Sequence, residues 1–396
     1  MNTKEINISL TIKLKIDVPE SMSEREIKDN ISSNFESVFN HSGDEGRRIS
    51  YYELESVEVM DNMEALLKEP GWVKAVYQVS EADKQTVLLE NFKRKNGQAD
   101  FDQVEKMVVK DESGQWKEIE PVQTYTFEKS GENTVYIRFR DITEIPVFAF
   151  YGCMALKEIE LPGTVHSIGE SAFRDCKKME FIYIPDSVGT IGESAFSCCR
   201  MLKGVLIPDC LKIIQDYTFL GCCSIGEIII PQSVTEIGDG AFMKCRKLKK
   251  INIPHTVRKI GETLFSGCLQ LSSIVIEAPI TKIGSSFASR CGNLKNLVLP
   301  DTLQEIGRYA FSECRSLDKI ILPAALSKIS VWAFGDDGLP FDITSLAKVA
   351  PAIDGDRFPN RLSVGALRIP EGSTGYDTWI EALGTRWVLE YIKQES

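Results

Sequence analysis

The 396-residue sequence predicts an α/β repeat solenoid with capping segments, on three observations. Proline recurs every 23 residues at Pro162, Pro185, Pro208, Pro231 and Pro254, and Pro300 and Pro323 keep the frame, with Glu277 in the skipped slot. Cysteine keeps the same period: Cys153, Cys176, Cys199, Cys222, Cys245, Cys268, Cys291 and Cys314 are eight of the eleven in the chain. Apolar residues hold fixed offsets between them, as in Val257, Ile260, Phe265, Cys268, Leu271, Ile274 and Ile276. A fixed period of this length means one supersecondary unit per repeat, stacked so that each buries its apolar face on its neighbours.

Residues 1–61 read as a small N-terminal β-α-β domain. Ile6, Ile8, Leu10, Ile12, Leu14 and Ile16 alternate as in a half-buried strand, Glu24 to Phe39 reads as a helix opened by Ser21 or Ser23, and Ile49 to Met60 as a second strand. Residues 62–138 look strand-rich and polar and are expected to cap the first coil, which would otherwise expose its core.

The array is expected over residues 139–337, about nine units. The first unit carries Ile142, Ile145, Phe150, Cys153, Leu156, Ile159 and Leu161, and the last has Leu326, Ile329 and Phe334 but Asp337 in the cysteine slot. Within a unit, L-x-x-I-x-I alternates like a strand and the proline that follows ends it, having no N–H for a ladder. V-x-x-I-G then makes a second short extended piece. Glycine recurs at Gly169, Gly192, Gly238, Gly261, Gly284 and Gly307, where the chain needs either an unusual dihedral or a close backbone approach. The x-x-A-F-x-x-C segment reads as one or two helical turns, with Glu170, Glu193, Asp239 or Glu262 placed to cap the free amides.

The unit I-P-x-x-V-x-x-I-G-x-x-A-F-x-x-C-x-x-L-x-x-I-x-I closely resembles the BspA-like, or Treponema pallidum-type, leucine-rich repeats. The resemblance extends to Phe127–Ile137, which looks like the strand leading into such arrays. It also covers Leu367-Arg-Ile-Pro-Glu-Gly-Ser with Tyr376 and Trp379, which look like the usual C-terminal cap, here residues 338–396. It implies a curved, right-handed leucine-rich repeat solenoid in a bacterial protein with no enzymatic activity, on the cell surface or secreted, and acting in adhesion. Residues 1–15 carry no apolar signal-peptide core, so the chain is expected to be cytoplasmic if it is the full-length product.

Composition narrows the function classes. The net charge is −11 and no apolar run reaches membrane-spanning length, so neither nucleic-acid binding nor membrane insertion is expected. Residues 139–338 carry 22 basic and 22 acidic residues, which places most of the acidity in residues 1–138. Three histidines, His41, His166 and His255, share no column, and no metalloprotease, nucleophile-elbow or nucleotide-binding motif occurs. No catalytic residue, cofactor or metal is predicted, and a hydrolase is the least supported alternative.

The cysteine column admits three readings: disulfides, a metal site or a packing ladder. Side chains in one stacked column point the same way, against disulfide geometry, and no C-x-x-C pair is present, which leaves buried thiols acting as small hydrophobes. Cys198, Cys210 and Cys223 lie off the column and are the candidates for accessible thiols.

The residue between the last two apolar positions of each strand faces outward, on the expected concave face. That row reads Glu160, Tyr183, Leu206, Ile229, Asn252, Val275, Val298 and Ile321, and Phe181 stands beside Tyr183 on the same strand. An exposed row this apolar points to protein docking, with Phe181 and Tyr183 as aromatic anchors. The alternative is a scaffold whose specificity lies in the N-terminal domain. A basic cluster, Lys244, Arg246, Lys247, Lys249, Lys250, Arg258 and Lys259, reads mainly as a solvated face, with contact to an acidic polymer or protein as the alternative.

Overall fold

The computed structural model describes residues 71–81, 85–89, 104–110, 114–140, 142–335, 342–354, 365–383 and 386–393; the expected β-α-β domain of residues 1–61, with His41, lies outside them, as does Asp337. The described part is a β-solenoid of about ten turns with almost no helix. The α of the expected α/β class is therefore corrected to β. Asp377–Leu383 is the one helix among the described residues.

The helical turns expected at x-x-A-F-x-x-C do not form, and the hydrogen bonds say why. The amide of Phe173 donates to the carbonyl of Ala195 at 2.8 Å, that of Phe196 to Thr218 and that of Phe219 to Ala241, both at 2.9 Å. These N–H groups bond to the next coil instead of to their own turn, which removes the ladder a helix needs. Two residues per coil sit in left-handed backbone to make this possible. One column includes Ser171 (φ 52°), Ser194 (55°) and Tyr217 (55°), and the other Asp175 (62°), Cys198 (63°) and Lys244 (61°). The acids are also repurposed. Asp216 Oδ1 accepts from the amide of Asp239, and Asp239 Oδ1 from that of Glu262, both at 2.7 Å, so each carboxylate caps the coil above it.

Two ladders of parallel strands run along the array. The shorter consists of two-residue strands such as Ser167–Ile168, Glu236–Ile237 and Glu305–Ile306, paired one coil to the next. The glycine that follows each is needed for close approach and not for dihedral freedom. A Cβ on Gly192 would stand 2.5 Å from the Glu170 amide nitrogen, and one on Gly261 2.4 Å from that of Asp239.

The longer ladder carries the outward face. Lys250–Ile253, Ser273–Ile276 and Asn296–Val298 form one sheet. Lys319–Leu322, Asp342–Ser345, Gly365–Pro370 and Trp387–Ile392 form another, so coiling continues well past residue 337. Strand pairing lapses at 204–207 and 227–230, the two coils that carry Gly204 and Gly226, and glycine weakens a strand. At the other end, Trp72–Val79 pairs antiparallel with both Gly131–Phe139 and Leu156–Glu160, and Leu156–Glu160 pairs parallel with Phe181–Tyr183. The N-terminal strands and the first two coils thus share one six-stranded sheet.

The core is a set of columns. Phe150, Phe173, Phe196, Phe219, Phe242 and Phe265 stack with centroids 5.1–5.9 Å apart and rings within 14° of parallel. The stack breaks at Phe287, which meets Phe265 and Phe311 edge-on at 84° and 75°. The cause is a swap of order: Phe287-Ala288 puts the ring first, where the other coils have it second after Ala, Thr218 or Leu264, which moves the ring one residue earlier in the turn. At the C-terminal end, Tyr376 donates to the Ala347 carbonyl at 2.9 Å and Trp379 Nε1 to that of Pro351 at 3.2 Å, closing the last turns over buried rings.

Candidate protein-docking face

Each column cysteine is a free thiol. It does more than fill space. Cys176 and Cys199 donate S–H to the carbonyls of Phe150 and Phe173 at 3.0 Å, Cys222 and Cys268 to those of Phe196 and Phe242 at 3.1 Å, and Cys245 to that of Phe219 at 3.3 Å. Cys291 reaches the Phe265 carbonyl and Cys314 that of Ala288, both at 3.2 Å, and Cys153 reaches Leu88 at 3.4 Å. Burial pushes the Cys176–Cys314 thiols well above the ordinary value, which keeps them protonated as donors. Cys314 is only half-buried.

The off-column cysteines divide. Cys210 is exposed and takes the place of the column Ser187–Ser233; its thiol reaches the Val188 carbonyl as Ser187 Oγ reaches that of Val165. Cys198 and Cys223 are half-buried. His166 and His255 are exposed and are not brought together. Among the described residues no group of three His, Cys, Asp or Glu is placed to hold a metal ion. No helix among them is long and apolar enough to cross a membrane.

The outward row is placed as follows. Tyr183 (58% exposed), Leu206 (80%) and Ile229 (75%) stand on three successive coils, and Phe181 (47%) lies beside Tyr183. Leu206 and Ile229, the most exposed large apolar side chains of the described chain, fall on the two coils where strand pairing lapses. Asn252 interrupts the row and donates to Glu277 Oε1 at 3.0 Å. Val275 is half-buried, while Val298 and Ile321 are exposed. Lys203 Nζ sits 4.9 Å above the Phe181 ring and 2.6 Å from Glu180, so one cation orders the aromatic edge of the row. At the near end, Lys74 reaches Glu160 at 3.7 Å.

Register extends this face beyond what sequence reasoning assigned to it. Glu160 opposes Lys74, Lys74 opposes Tyr136, and Tyr136 opposes Val108, so all four side chains point to the face that Tyr183 occupies. A small buried cluster of Trp72, Val108 and Tyr136, with Trp116 against it, lies there. Arg138 is over the Trp72 ring and Lys110 over that of Trp116. The alternation in Trp72–Val79 was readable, but nothing in the sequence states which strand it pairs with.

Charges follow the coil spacing too. Lys203–Glu180, Arg290–Glu313, Lys282–Glu305 and Lys328–Glu305 pair across neighbouring coils, as do Lys259 and Glu236. Five cations of the basic cluster, Lys244, Arg246, Lys247, Lys249 and Lys250, form no ion pair among the described residues, and all five are exposed. Their column neighbours explain it: Lys249 stands between Gly226 and Ser272, and Lys247 between Ser224 and Gln270. Glu227, one coil before Lys250, is exposed and beyond ion-pair distance. The structure thus splits the cluster, since Lys259 is paired and Arg258 donates to the His255 carbonyl.

No curated protein matches the chain. Among solved structures, a leucine-rich repeat protein of T. pallidum is 28% identical over 44% of this chain and 71% of its own, with a TM-score of 0.32. One from Bacteroides ovatus is 21% identical over 73% of this chain and 99% of its own, with a TM-score of 0.38. A leucine rich cell surface protein from Faecalibacterium prausnitzii is 19% identical over 60% and 86%, with a TM-score of 0.31. The model of the BspA type leucine rich repeat region matches in six copies over residues 120–246 and 212–339, more than half of the sequence, and the chain belongs to that family.

Proposed function

We propose that this protein is a non-enzymatic protein-binding module that docks a partner on the outward strand face, in adhesion or another contact at the cell surface. The observation that carries this reading is the run Phe181, Tyr183, Leu206 and Ile229, exposed large apolar side chains on three consecutive coils. Isolated exposed apolar residues are ordinary, but a contiguous ridge of them is a surface that gains free energy when covered. Val298 and Ile321 continue the ridge beyond Asn252 and Val275. Membership of a repeat family supports the same reading, since a stacked array offers an extended rigid surface for a partner. The aromatic pair Phe181 and Tyr183 is its anchor, because such residues supply large contact area at small entropic cost.

The test immobilises the full chain and presents purified extracellular-matrix and bacterial surface proteins, with wild type and a Phe181→Ala/Tyr183→Ala variant side by side. The expected result is capture by wild type that weakens at least about tenfold in the variant, which is the size of one lost hot spot. Equal capture by both would remove the ridge as the docking face.

A further inference from the structure

We infer that the partner segment docked across coils 203–252 is an acidic polypeptide whose carboxylates alternate with apolar side chains; this rests on the outward ridge being the docking face. Two features coincide on these coils. Leu206 and Ile229 are the most exposed large apolar residues of the described chain. On the coil after Ile229, Lys247, Lys249 and Lys250 are exposed and without an ion pair, whereas Lys203, Lys259, Lys282, Arg290 and Lys328 each meet an acid one coil away. Lys250 belongs to the same outward column as Gly204 and Glu227, two residues from the row that holds Leu206, Ile229 and Asn252. Lys250 therefore stands about one side chain from the row, one coil after Ile229, with the exposed Glu227 before it in its own column. Gly204, Ser224 and Gly226 keep the surface between them low.

The occupant follows from that combination. A nucleic acid or sulfated glycan would use the cations but would leave Leu206 and Ile229 covered by charged, hydrated groups, at a cost. The chain's net charge of −11 further disfavours a polyanion bound by long-range field alone. A peptide with carboxylates on one column and apolar side chains on the next satisfies both, with the charges setting orientation and encounter rate and the apolar contacts supplying hold.

The experiment measures fluorescence anisotropy of a short labelled peptide in which Glu alternates with Leu, titrated with the full chain. Poly-Glu of equal length and single-stranded DNA serve as parallel probes. The expected result is binding of the mixed peptide, weakened about tenfold or more by Lys247→Glu/Lys249→Glu/Lys250→Glu and also by Leu206→Ser/Ile229→Ser, with both parallel probes binding less tightly. All five positions are exposed, and an unchanged thermal melt confirms each variant is folded. Tight binding of poly-Glu or DNA that ignores Leu206→Ser/Ile229→Ser would overturn the inference in favour of a general polyanion patch. Sensitivity to the serine pair alone would overturn the acidic class and leave the docking face standing. Absent binding of the mixed peptide would likewise overturn the class, and binding indifferent to both variants would remove the docking face as well.

Discussion

The inner Cys–Phe columns and the outward strand row run side by side through the same coils, and they differ in what they tolerate. Inside, one residue type repeats coil after coil. Six successive Phe rings from Phe150 to Phe265 stack on one another, and each column thiol from Cys176 to Cys314 finds a carbonyl 26 residues back in the preceding coil. Outside, the row changes from Tyr183 to Leu206 to Ile229 to Asn252 to Val275 over five coils. The difference is physical: an interior residue is chosen by the coil above and below it, which are near copies of its own, whereas an outward residue is chosen by solvent and by whatever covers it. Repetition marks the stacking constraint, and departure from repetition marks the surface free to carry specificity.

That contrast can be broken or sharpened by substitution. The largest effect is expected from Phe219→Ala, which removes a ring stacked on both sides and should cost about 3–5 kcal/mol in urea unfolding; a loss below about 1 kcal/mol would mean the column is not the main source of cohesion. Next is Gly192→Ala. Its Cβ meets backbone of the neighbouring coil, so about 2–3 kcal/mol should be lost, while Gly189→Ala, with open space around it, should change stability by no more than about 0.5 kcal/mol. Equal effects at the two glycines would contradict the close-approach account.

The cysteines give a smaller effect that depends on pH. Burial raises the column thiols above their unfolded value of 9.0, so the folded state holds protons that the unfolded state releases. The stability this contributes is complete below pH about 9 and falls as pH rises past it. Between pH 9 and 10, Cys222→Ala should flatten the decline by roughly 1 kcal/mol per pH unit, after a fixed cost at neutral pH. An unchanged slope would show that the Cys222 thiol titrates alike in both states. The smallest effect belongs to Phe181→Ala/Tyr183→Ala, which should move the melting midpoint hardly at all while changing partner capture, as expected of surface positions.

How much of this was legible follows from where each partner lies. The proline and cysteine clocks locate the coils from residue 142 to 337 because the neighbour of any residue in the array stands one period away. The same rule exposed the apolar row itself. It failed at three places. The A-F segments looked helical by length and cap, yet every second amide bonds to the next coil. Trp72–Val79 alternates like any strand, but its antiparallel partners, Gly131–Phe139 and Leu156–Glu160, stand at no repeating offset. Past residue 337 the clock stops while parallel strands continue to Ile392.

Period, core columns and the position of the outward row were written into the order of residues, because stacking near-identical coils turns local pattern into global contact. Only the folded molecule distributed the rest: which amides abandon their own turn, which strand closes the first coil, and which of seven clustered cations meet an acid. Those outcomes depend on distances between residues that share no period, and burial and pairing settle them only once the coils are stacked.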